Sequence, residues 1–64
     1  MPTLKVSLWT GRTREQKAAI SKALTDAMVE TAQVPAEAVT VIIEEWPQEN
    51  WATGGKLHSE LYPK

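Results

Sequence analysis

Residues 3–16 read TLKVSLWTGRTREQ, and this stretch sets the fold. Leu4, Val6 and Leu8 alternate with Thr3, Lys5, Ser7 and Trp9, and period two over this length marks a half-buried strand. Gly11 and Arg12 then make a short turn. Thr13-Arg14-Glu15-Gln16 matches a capping box, in which a Thr and a Gln three residues later each satisfy a backbone N–H at the other's end. Downstream, Ile20, Ala23, Leu24, Ala27 and Met28 recur at helical spacing, and Thr31 continues the stripe. No Gly or Pro interrupts the run before Pro35. The pattern predicts a strand over residues 3–9 and a helix from about residue 14 to about residue 32.

Beyond that helix, Pro35-Ala36-Glu37-Ala38 reads as a turn or one short helical turn. Val39 to Glu45 is rich in β-branched residues and reads as a second strand. Val39, Val41 and Ile43 share one face, and Thr40, Ile42 and Glu44 share the other. Strand, helix and strand make one βαβ unit with parallel strands and a right-handed crossover. The fold class is therefore α/β (α+β in some schemes). A single helix covers only one sheet face, so the face with Trp9 and Ile42 is expected to meet another subunit. In the tail, Gly54-Gly55 permits the positive φ angles of a small hairpin, too short to be stable alone.

Size and composition narrow the function. The chain has 64 residues and a mass of 7.1 kDa, read as one domain over residues 1–64. A domain this small buries only about 60% of the surface its unfolded chain exposes. There are no cysteines and one histidine, which excludes a disulfide framework and a thiolate or His-rich metal site. Self-association is the stabiliser that is left. Seven basic residues face eight acidic ones, so no basic excess points to nucleic acid. No apolar run approaches the roughly 18 residues of a membrane span, and MPTLKVSLWT lacks a secretory signal's pattern. The expected setting is cytoplasmic, with no nucleic-acid or membrane partner.

Few residues can carry chemistry. Removal of Met1, which the small following residue favours, leaves the secondary amine of Pro2 as the first group. An α-amino group titrates near pH 8, and apolar surroundings or a nearby cation lower that value toward a general acid–base range. Arg12 sits just before a helix start, where anions are favoured and a guanidinium adds bidentate carboxylate binding. Trp9, Trp46 and Trp51 are three of only four aromatic residues and suit pocket walls or interfaces. His58 reads as a surface residue, Arg14 as solvent-facing, and Glu44, Glu45 and Glu49 as solvated charge.

Taken together, Pro2, the segment Leu8 to Lys17, the uninterrupted helix, the strand Val39 to Glu45 and Asn50-Trp51-Ala52-Thr53-Gly54-Gly55 resemble the 4-oxalocrotonate tautomerase family over nearly the whole chain. The resemblance implies a β-α-β fold with a C-terminal hairpin, two chains forming a four-stranded sheet, and dimers assembling into a hexamer. It implies a cofactor-independent tautomerase acting on the enol form of a 2-oxo acid, with Pro2 as the acid–base group. Arg12 matches the arginine that grips a substrate carboxylate, Trp51 an aromatic pocket residue, and Trp9 an apolar pocket position.

One departure bears on specificity. Thr40 stands where the namesake enzyme has a second arginine, and a neutral hydroxyl replaces a charge-assisted contact about twice as strong. A monocarboxylate enol of the phenylenolpyruvate kind then suits the site better than a dicarboxylate. Lys5 and Arg14 are the candidates for a substitute cation. Haloacrylate hydration or dehalogenation, with Glu49 activating water, and a non-catalytic binding module are the alternative readings.

Overall fold

The computed structural model describes residues 2–63. Met1, whose removal the proline chemistry requires, lies outside them. The elements are β1 (Thr3–Trp9), α1 (Arg14–Ala32), β2 (Thr40–Trp46), the two-residue strands β3 (Ala52–Thr53) and β4 (Lys56–Leu57), and α2 (His58–Leu61). Single 3-10 turns at Ala36–Ala38 and Gln48–Asn50 flank β2.

The first helix starts where the capping box placed it. Gln16 N donates to Thr13 Oγ1 at 3.1 Å, and Thr13 N donates to Gln16 Oε1 at 2.9 Å. Strands β1 and β2 pair in parallel, from Thr3 opposite Thr40 to Trp9 opposite Trp46. The second strand is thus shifted one residue from the sequence pattern. It starts at Thr40, because Val39 closes the preceding 3-10 turn, and it ends at Trp46, which still pairs and whose carbonyl accepts from Thr10 N at 3.0 Å. Leu4, Val6 and Leu8 lie beside Val41, Ile43 and Glu45 on the side that α1 covers, and all six are half-buried. Thr3, Lys5 and Ser7 lie with Thr40 and Ile42 on the open side and are exposed.

The helix is rotated slightly from its expected stripe. Lys17, Ile20, Ser21, Leu24, Thr25, Met28 and Val29 are half-buried, whereas Ala23, Ala27 and Thr31 are exposed. The longer side chains at the i, i+4 and i+7 positions reach the narrow two-stranded sheet; the alanines fall on its flank. The hairpin forms around Gly54 and Gly55, at φ 63° and 82°, with Ala52 opposite Leu57 and Thr53 opposite Lys56.

The result is a slab, 42 × 25 × 14 Å, with a radius of gyration of 14.7 Å against about 11 Å for a compact chain of this length. It exposes 4907 Å² where a compact monomer of its mass exposes about 4,100 Å². None of the described residues is fully buried, and Ile42, Trp46, Leu57, Leu61 and Tyr62 are exposed. No helix among the described residues is long and apolar enough to cross a membrane.

Candidate active site

The parallel register decides where the candidate residues go. Pro2 leads directly into β1, and its carbonyl accepts from Thr40 N at 3.0 Å. Pro2 and Thr40 therefore share the N-terminal end of the sheet. Trp9 closes the other end of β1, Arg12 follows it in the turn, and Trp51 reaches the same end by donating from Nε1 to Trp46 O at 3.2 Å. Seven strand residues separate the two groups, roughly 20 Å at the usual rise. Within one chain, Pro2 and Arg12 do not share a site.

Arg12 is exposed at the mouth of a cleft of about 420 Å³ whose walls include Trp9, Pro47 and Tyr62. Gly11 makes the turn possible. Its φ of 127° lies in a region that side chains rarely adopt, so any other residue there strains the loop that presents Arg12. Arg12 is the one cationic residue among those lining the cleft. A second cleft of about 440 Å³ is lined by Ser7, Trp46, Asn50 and Trp51. Glu49 is exposed in the intervening 3-10 turn and lines neither.

Glu45 corrects the reading of the glutamates as solvated charge. It points to the α1 side, where its Oε1 accepts from Lys17 Nζ at 2.5 Å, and its side chain is 21% exposed. The hydrogen bond from Lys17 holds the Glu45 carboxyl below the ordinary carboxylate value. Partial desolvation opposes that shift, while the Lys17 charge and the backbone N–H groups of Gly11 and Arg12 reinforce it. Its other oxygen is shielded from water and accepts no hydrogen bond of good geometry. Glu45 thus sits beneath the loop that carries Arg12 and ties β2 to the first turn of α1.

His58 is the second correction, being half-buried rather than a surface residue. Trp9 Nε1 donates to its Nδ1 at 2.9 Å, and its Nε2 lies 2.8 Å from Thr53 Oγ1. Its ring stacks on Trp51 with centroids 5.7 Å apart, and it meets Trp9 and Tyr62 edge-on at 5.5 and 5.6 Å. Trp9 and Tyr62 also touch, at 5.4 Å. The missed signal was the i, i+4 spacing of His58 and Tyr62, which one helical turn brings to the same face. Tyr62 N donates to His58 O at 2.8 Å, closing that turn.

The candidates for a second cation lie apart from Arg12. Lys5 is exposed on the open sheet face, opposite Ile42 and next but one to the Thr3–Thr40 pair, so it belongs to the Pro2 end. Arg14 is exposed in the first turn of α1, as expected.

Known proteins match this chain over most of its length. A family model described as tautomerase enzyme matches residues 2–60. A probable tautomerase of Ralstonia nicotianae is 47% identical over 55 residues, covering 86% of this chain and 79% of the relative. Among solved structures, TomN, a 4-oxalocrotonate tautomerase homologue in the tomaymycin biosynthetic pathway, superposes with a TM-score of 0.93 at 43% identity, over 98% of this chain and 97% of its own. A heterohexamer 4-oxalocrotonate tautomerase from Chloroflexus aurantiacus J-10-fl superposes with a TM-score of 0.90 at 38% identity, over 95% and 98%.

Proposed function

Because this chain belongs to the tautomerase family, as a short member resembling 4-oxalocrotonate tautomerase, we propose that it interconverts the enol and keto forms of a 2-oxo acid carrying one carboxylate. The observation that carries this reading is the Arg12 cleft. One guanidinium stands at the rim of an aromatic-walled cavity, which suits a single carboxylate attached to an apolar body. Thr40, at the end where a second arginine would stand, offers only a hydroxyl.

The proton movement belongs to Pro2 once Met1 is removed. The neutral secondary amine takes the proton from the enol hydroxyl, the C–O bond becomes a carbonyl, and the same proton or its replacement on nitrogen is delivered to C3 of the substrate. No electrons leave the substrate and no cofactor is needed. Apolar surroundings favour the neutral amine, and with it a proton affinity suited to both halves of the reaction. Arg12 fixes the carboxylate by paired N–H donation, so the enol oxygen and C3 face one base.

Pro2 and Arg12 stand at opposite ends of β1, so the reaction needs more than one copy. Arg12 of one chain must come to Pro2 of another. The exposed sheet face and the free edges of β1 and β2 supply surface for this, and the Chloroflexus relative supports a hexamer.

The test begins with the intact mass of the purified chain, which reports whether Met1 is gone. Ketonisation of phenylenolpyruvate is then followed for wild type, Pro2→Ala and Arg12→Ala. Pro2→Ala is expected to lose about 100-fold or more in kcat with the oligomer unchanged. Arg12→Ala is expected to raise KM by roughly 10- to 100-fold, the cost of a charged hydrogen-bonded contact. A processed Pro2→Ala protein that turns over at the wild-type rate refutes the mechanism.

A further inference from the structure

We propose that His58 is a positioning residue that sets the tryptophans on either side of it, and through Trp9 the shape of the substrate cleft. Calling that cleft the substrate site rests on the tautomerase reading; the geometry of His58 does not.

The argument starts from donors and acceptors. An indole Nε1–H only donates, so the 2.9 Å contact requires Nδ1 of His58 to be the acceptor and to carry no proton. The proton of the neutral ring is then on Nε2, which donates to Thr53 Oγ1 at 2.8 Å. Both ring nitrogens are therefore engaged in one tautomer, and the ring has no rotational freedom left without losing a bond. One bond reaches the end of β1, the other reaches β3, and Trp51 lies against the ring face at an interplanar angle of 21°.

His58 thus stands between the two clefts. Trp9 walls the cleft that holds Arg12, and Trp51 walls the one with Ser7 and Asn50. Trp9 is held by His58 through its indole N–H and by Tyr62 through ring contact at 5.4 Å. The hydrogen bond fixes which way the indole edge faces; ring packing alone leaves that open. His58 itself is not among the residues lining either cleft, so its influence on substrate in the Arg12 cleft passes through Trp9.

The test uses two replacements with opposite expectations. His58→Leu keeps apolar bulk and removes both nitrogens. His58→Asn is smaller, but its side-chain oxygen branches at the position of Nδ1 and still accepts from Trp9. Binding of phenylpyruvate is measured by calorimetry on the intact oligomer, alongside KM and kcat for phenylenolpyruvate and the oligomeric state by sedimentation. His58→Leu is expected to raise Kd and KM together by about threefold to tenfold, as loss of one partly buried hydrogen bond does, with kcat within about twofold. His58→Asn is expected to return Kd and KM to within about twofold of wild type. Equal impairment in both variants, or an unchanged Kd in His58→Leu, overturns the proposal. A wild type that never turns over, yet shows the same ordering of Kd values, refutes the tautomerase reading while upholding the role of His58.

Discussion

Gln33 ends α1 at φ 55° and ψ 48°, the left-handed region in which a Cβ is penalised. Glycine is the usual residue at such a cap, so this position holds strain that the sequence does not relieve. Gln33→Gly is expected to raise stability by about 0.5–1 kcal/mol, read as a later denaturation midpoint at fixed protein concentration. An earlier midpoint would mean that the glutamine side chain contributes more than its backbone costs. Gly11 is the converse case. Its φ of 127° is one only glycine tolerates, and Arg12 depends on it for its place at the cleft mouth. The position of Arg12 in a turn before a helix start was legible in the sequence, because turn and capping box are local. His58 was not, because its partners Trp9, Thr53 and Trp51 come from other elements.

At the level of elements, the Lys17–Glu45 pair joins α1 to β2 beneath the turn. The Glu45 carboxyl is lowered from 4.5, chiefly by its hydrogen bond with Lys17, so the folded state favours its ionised form. That contribution is complete above about 4.5 and disappears as pH falls through the lowered folded-state value. Glu45→Gln is therefore expected to melt below wild type at neutral pH, with the gap closing as the solution is acidified below 4.5. Melting curves of both proteins across that range check the sign; a gap that widens in acid would contradict it. The strand alternation and capping box located β1 and α1. The helix face came out rotated, since the periodicity scored Ala23 and Ala27 as core while the two-stranded sheet is too narrow to reach them.

The whole molecule is a one-sided layer. None of its described residues is fully buried, and its large apolar residues include Trp46 at 47% and Tyr62 at 55% exposure. A chain that cannot close a core by itself is expected to draw stability from association, and stability would then depend on concentration. The melting temperature is expected to rise by several degrees between micromolar and hundred-micromolar protein, with sedimentation showing an oligomer. A monomer by sedimentation with an unchanging melting temperature would refute both the assembly and the shared site. The open face with Ile42 was foreseen from the count of helices against sheet faces, because a single helix can cover only one. Trp9, expected on the same uncovered face, is instead half-buried against His58 and Tyr62 of its own chain.

The sequence by itself determined the order of elements, the parallel βαβ unit and the glycine hairpin, since these rest on periodicity, caps and turns that act over a few residues. The family came from a resemblance spread over nearly the whole chain. It also named Pro2, Arg12, Trp9, Trp51 and Thr40 as the residues to locate. Only the tertiary structure divided them between the two ends of the sheet, because strand register converts distance along the chain into distance in space. The same packing gave Glu45 its cation and His58 the indole of Trp9, contacts between residues 28 and 49 positions apart that no local pattern encodes.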